Sequence, residues 1–122
     1  MTALLRAVRG ATTVEHNDAG EITRHTQALV KEVMARNEIA PDDLVSMIFT
    51  ATPDITAAFP ATAARELGLN DVPLLGAAEL GVVGGLDLCI RVLIHCYSER
   101  GRDEIRHVYL EGAKVLRSDL AD

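Results

Sequence analysis

Arg91 stands in the middle of a run, Leu88–Tyr97, whose residues are mostly apolar. In a strand, side chains alternate between faces. Leu88, Ile90, Val92, Ile94 and Cys96 then form one wholly apolar face, and Arg91 shares the other with Cys89, Leu93, His95 and Tyr97. A guanidinium among apolar neighbours is costly unless a counter-charge meets it. Two readings follow. Arg91 is half of a structural ion pair, with Glu79 or Asp87 as its partner, or it anchors an anion site open to a cleft. On these residues alone the two stand level. Arg9 and Arg106 on other strand-like segments, Glu79 at a strand end and Tyr109 complete a set suited to holding an anion. Ten arginines against two lysines point the same way, because a guanidinium binds carboxylate or phosphate with a planar fork. The 17 alanines supply the plainer explanation, a GC-rich coding sequence.

Other chemistries find little support. No Gly-x-Ser-x-Gly elbow or other nucleophile with its base is visible. Cys89 and Cys96 fall on opposite strand faces and read as buried structural thiols. The four histidines, at 16, 25, 95 and 107, are scattered, so no metal site is expected, and His95 and His107 read as packed or interfacial. The glycines of 81–85 lack the spacing of a dinucleotide or phosphate loop and read as a tight turn. A net charge of −6 has the wrong sign for a general nucleic-acid binder, and four aromatic residues offer few stacking platforms. The longest uncharged stretches, Leu44–Pro53 and Ile55–Ala64, are ten residues each, too short to cross a membrane. With no signal peptide visible and no disulfide framework, a cytoplasmic protein is expected.

The elements that must position these residues are legible from periodicity. The 122 residues make one domain, 1–122, of ordinary globular composition. Leu4–Val14 reads as a strand with Gly10 in its interior. Asp18 and Glu21 are spaced as a capping box for a helix carrying Ile22, Leu29, Val30, Val33 and Met34 on one face, with Asn37 as its C-cap. Leu44–Ala51 is a second strand, apolar on both faces, and Pro60 opens a short helix that Gly68 stops. Val72–Gly76, Leu88–Tyr97 and Glu104–Glu111 are further strands. The order β-α-β-α-β-β-β predicts an α/β (α+β) fold: a mixed five-stranded sheet with helices mostly on one side.

Several short motifs, in order from residue 5 to 120, then carry a resemblance. They are Arg9-Gly-Ala-Thr-Thr-Val-Glu15, Ala51-Thr-Pro-Asp54, Ala58-Phe-Pro-Ala61 with Ala64-Arg-Glu-Leu67, and Gly84-Gly-Leu86 with Cys89-Ile-Arg-Val92. Ile105-Arg-His-Val-Tyr-Leu-Glu111, and Leu116-Arg117 with Asp119-Leu120, complete the series. Together they resemble the small monofunctional bacterial chorismate mutases of the trimeric α/β type. The resemblance implies an isomerase that converts chorismate to prephenate on the route to phenylalanine and tyrosine, without a cofactor. It also implies a homotrimeric pseudo-α/β-barrel with active sites at subunit interfaces.

Carried over motif by motif, Arg9 and Tyr109 meet the substrate's side-chain carboxylate, Arg91 the breaking ether oxygen, and Glu79 the ring hydroxyl. Phe59, Ala61, Thr62 and Arg65 come from the neighbouring subunit. Leu74, Leu75, Gly76, Ala77 and Ala78 line the substrate site, and Leu116 and Arg117 lie on a mobile tail, residues 112–122. Three positions depart from the family pattern: Gly76 where a cysteine can stand, Thr62 where a lysine can stand, and Ser118 where proline is usual. Gly76 offers only backbone groups, which leaves the ring hydroxyl more to Glu79, and Thr62 weakens steering of an anionic substrate.

A unimolecular rearrangement of a dicarboxylate needs no nucleophile, which fits the missing motifs, and it shifts the reading of Arg91 toward function. The rival, a non-catalytic ligand-binding trimer of the same fold, would be favoured by loss of Arg91, Glu79 or Tyr109. All three are present.

Overall fold

The computed structural model describes residues 2–117. Strand β1 (Leu4–Thr13) leads into helix α1 (Ala19–Arg36), then β2 (Leu44–Ala51), helix α2 (Pro60–Glu66), β3 (Leu74–Ala78), β4 (Cys89–Ser98) and β5 (Val108–Tyr109). Short 3-10 turns cover Pro41–Asp43, Arg102–Glu104 and Glu111–Arg117. The sheet runs β3-β2-β4-β1-β5. It is mixed, as expected: β4 is antiparallel to both β1 and β2, while β3 and β5 run parallel to β2 and β1 respectively.

Helix α1 starts where the capping residues predict, with one change. Asp18 Oδ2 accepts the Glu21 N–H at 2.9 Å. The Glu21 carboxylate does not return the bond to Asp18; it accepts the amides of Glu15 and His16, and the Glu15 amide chiefly holds its pKa below the usual value. Asn37 ends the helix and does more than cap it. Its amide nitrogen donates to Val33 and Arg106 carbonyls, each at 2.8 Å, and its Oδ1 accepts the Arg106 N–H at 2.7 Å.

The core lies between one face of the sheet and the two helices. Val8, Met47, Phe49, Val92 and Ile94 meet Leu29, Val30 and Val33 of α1 there, all fully or almost fully buried. Each such side chain contributes about 1.5–3 kcal/mol by leaving water. Gly10 permits the close approach: a Cβ added there would stand 3.0 Å from Val33 Cγ2 and 3.1 Å from both Leu29 Cδ1 and Val92 Cγ1.

Two strands, β3 and β5, differ from expectation by more than one residue at an end. β3 begins two residues later than Val72 and runs to Ala78, because Val72 is spent on the core while Leu74 pairs with Met47. β5 shrinks from the expected Glu104–Glu111 to Val108–Tyr109, because residues 102–104 turn and Asn37 takes both backbone groups of Arg106. β2 is covered on one face only: Met47 and Phe49 are buried, whereas Ile48 and Thr50 lie half-buried on the side away from the helices.

The first part of the expected tail is a 3-10 turn laid on β1. Ala113 is fully buried, and the Gly112 N–H donates to Thr13 Oγ1 at 2.9 Å. Ser118 and the rest of the tail lie outside the described residues.

Candidate active site

On the helix-free face, strand register gathers the polar residues that the sequence distributes. Ala11 pairs with Arg91, which also pairs with Thr50, so three neighbouring strands present these positions side by side. A cavity of about 400 Å³ opens there. Its floor is formed by Arg9 and Ala11 of β1, Ile48 and Thr50 of β2, and Arg91 and Leu93 of β4. Glu79, just beyond β3, bounds it on one flank of the sheet, and Tyr109 of β5 with Leu116 and Arg117 on the other.

Arg91 is ion-paired and open to the cavity at once. Its Nε lies 3.4 Å from Glu79 Oε2, so the counter-charge is present, yet 45% of the side chain remains exposed to the cavity mouth. Glu79 is the more enclosed partner, at 22% exposure. Thr50 Oγ1 donates a short hydrogen bond to the same Oε2, and the Glu79 amide donates to the Ala51 carbonyl at 3.0 Å. The carboxylate is thus fixed from β2 while it orients the guanidinium of β4.

On the other flank, Tyr109 is 7% exposed and packs with Ala11, Ala113 and Leu116. Arg9 leaves β1 toward the cavity, and its backbone N–H donates to His107 Nδ1 at 3.0 Å. Burial, aided by the charges of Arg9 and Arg117, pushes the His107 pKa below the ordinary histidine value. Cys89 borders Arg91 but is buried, and burial raises its pKa, so it stays a protonated thiol. Among the described residues, no group of three or more His, Cys, Asp or Glu side chains converges on one point.

Of the residues singled out from the sequence, Arg9, Glu79, Arg91, Tyr109, Leu116 and Arg117 line this one cavity. Phe59, Ala61, Thr62 and Arg65 do not; they belong to α2 and its N-cap, which pack on the helix side, and Phe59 stands 80% exposed. Leu74, Leu75, Gly76, Ala77 and Ala78 form edge strand β3, where Leu74 packs on the core and the other four are exposed. Arg106 lies outside the cavity and just before β5. Thr50, Ile48 and Leu93 were not singled out as site residues. Thr50, a polar residue inside the mostly apolar run of β2, is the signal that could have marked this wall.

The sequence model of one family, chorismate mutase type I, matches residues 5–120. The chain belongs to this family. Chorismate mutase activity, an isomerisation in aromatic amino acid biosynthesis, goes with that membership. The chain is 45% identical over 119 residues to chorismate mutase AroH of Bacillus subtilis (strain 168), covering 97% of this chain and 94% of the relative. It is 43% identical over 118 residues to chorismate mutase AroH of Thermus thermophilus, covering 96% and 97%. Among solved structures, a chorismate mutase from Clostridium thermocellum superimposes with a TM-score of 0.89 at 48% identity, covering 90% of this chain and 98% of that one.

Proposed function

We propose that the cavity between Arg9, Glu79, Arg91 and Tyr109 is where chorismate rearranges to prephenate, and that these four side chains divide the work. One C–O bond breaks as one C–C bond forms, within a single molecule and with no proton transferred. The substrate must be held in a compact, chair-like shape that is scarce in water. Arg9 and Tyr109 hold the side-chain carboxylate, and Glu79 accepts the ring hydroxyl, so part of the entropic barrier is met before reaction.

As the C–O bond stretches, negative charge gathers on the ether oxygen. Arg91 is aimed there and held by Glu79, so its attraction grows toward the transition state rather than in the ground state. The observation that carries this reading is a cavity whose floor holds one oriented guanidinium, tied to a carboxylate yet open to a ligand. Arginine suits the role because it stays charged and presents a rigid fork.

The site is completed by a second copy of the chain in a homotrimer. Phe59, Ala61, Thr62 and Arg65 sit on the far side of their own sheet, with Phe59 and Arg65 free to reach a neighbour's cavity. Exposed Leu5 and Leu75 on the open face support its coverage by other subunits. Leu75 and Ala77 share that face and extend the substrate wall, while Gly76 adds backbone groups. Leu116 and Arg117 close over the mouth. The buried, unpaired thiols of Cys89 and Cys96 suit a reducing cytoplasm.

Mixing pure protein with chorismate and following its loss against prephenate formation, alongside light scattering, tests this reading. A three-chain particle that forms prephenate is expected. A fully active monomer contradicts the shared site.

A further inference from the structure

β5 is too short to satisfy the whole edge of β1. In the parallel pairing of Gly10 with Val108 and Ala11 with Tyr109, the Ala11 carbonyl accepts the Leu110 N–H at 2.9 Å. One step back along the ladder, the Arg9 N–H would meet the carbonyl of Arg106. That carbonyl already accepts Asn37 Nδ2 at 2.8 Å. The His107 ring fills the gap, its Nδ1 taking the Arg9 N–H at 3.0 Å. A side chain therefore finishes the ladder at the residue whose guanidinium enters the cavity.

An imidazole nitrogen that accepts an N–H carries no proton, so the ring is neutral with its hydrogen on Nε2. Arg9 and Arg117 favour that form among the charged and titratable groups around it. Among the described residues those groups are Arg6 and Arg9 of β1, His95 of β4, Arg102 in the turn before β5, and Arg117 of the final turn, with no carboxylate in the set. Burial and the neighbouring arginines lower its pKa, so the neutral ring persists below the ordinary histidine range. Protonation would set a donor against a donor and add a cation beside Arg9.

We propose that His107 is a positioning residue: its unprotonated Nδ1 pins the Arg9 backbone and so aims the Arg9 guanidinium at the substrate's carboxylate. The inference rests on the reading of Arg9 as the carboxylate clamp. It acts through ground-state binding, and a loss of register at β1 is expected in KM rather than in kcat.

His107→Ala and His107→Asn test it in the full chain. Asn carries an acceptor, Oδ1, close to where Nδ1 lies. His107→Ala is expected to raise KM for chorismate roughly three- to ten-fold, the worth of one neutral hydrogen bond, with kcat within about twofold. His107→Asn is expected to bring KM back to within about twofold of the parent chain. In the parent, KM rises as pH falls through the lowered His107 pKa, and in the Asn variant this acid limb disappears. Nitrogen NMR of the parent chain is expected to show a non-protonated His107 Nδ1 at neutral pH, a reading that stands even if the Ala variant does not fold.

A protonated Nδ1 at neutral pH overturns the proposal, as does an unchanged KM in His107→Ala or an equal loss of kcat in both variants. Arg9→Ala separates the two claims: an unchanged KM there refutes the carboxylate clamp, whereas the nitrogen spectrum judges the hydrogen bond alone.

Discussion

On the helix-covered face of the sheet, Val8, Met47, Phe49, Ile90 and Ile94 are all 1% exposed or less, while on the open face Leu5, Leu75 and Tyr97 are more than half exposed. β1, β2 and β4 each serve both faces, one residue out of phase. The covered face folds the chain, and its strand arginine, Arg6, lies near the end of β1 with Nε donating to the Arg100 carbonyl at 2.9 Å. The open face keeps Arg9, Arg91 and Glu79 together at a stability cost that the Arg91–Glu79 pair and partial exposure keep small. The period of two in a strand thus separates the folding face from the candidate site with no insertion between them.

Substitutions on the two faces should therefore fail in different ways. Phe49→Ala, on the covered face, should cost about 3–5 kcal/mol of stability, read from denaturant midpoints, and so threaten the fold itself. Glu79→Gln, on the open face, should leave the midpoint nearly unchanged. It loses the charge-assisted contact proposed to the substrate's ring hydroxyl, worth about 1.5–3 kcal/mol, so kcat/KM should fall roughly 10- to 100-fold. A large loss of stability in Glu79→Gln with intact turnover would erase the distinction. Gly10→Ala sharpens it. The added Cβ presses on Val33, Leu29 and Val92 from the covered side, so about 1–3 kcal/mol of stability should go while kcat in the folded fraction is kept. The smallest effect is expected from thiol alkylation of the native protein. Cys89 borders the site yet is 2% exposed and protonated, so turnover should be unaffected.

The covered face was also the legible one. The bounds of β2 and the apolar positions of α1 followed from alternation and helical spacing because burial drives both patterns. β5 was overdrawn because Ile105, Val108 and Leu110 look strand-like, while the partner that claims the Arg106 backbone, Asn37, lies 69 residues away. On the open face, Arg91 stood out as a charge in an apolar run. Glu79 was named as one of two possible partners, and the structure chooses it over Asp87. Thr50 was not linked to Glu79, since their contact needs β3 to lie beside β2, which no local pattern states. Nor did spacing mark His107, whose bond to the Arg9 N–H depends on where a ladder stops. The roles given to Phe59, Thr62 and Arg65 came from motif resemblance; within one chain these residues lie away from the cavity.

Arg91 is proposed to stabilise charge that develops only as the C–O bond breaks. The most direct test of this role is kcat at saturating chorismate for folded, correctly assembled Arg91→Gln and Arg91→Lys, with exposed Arg106→Ala as the control. Arg91→Gln should lose at least about 10²–10³-fold in kcat, or roughly 3–4 kcal/mol. Arg91→Lys should also be impaired, because it keeps the charge without the fork, and Arg106→Ala should turn over normally. If KM alone rises and kcat stays that of the parent chain, Arg91 only binds the substrate, and the account of the site is contradicted.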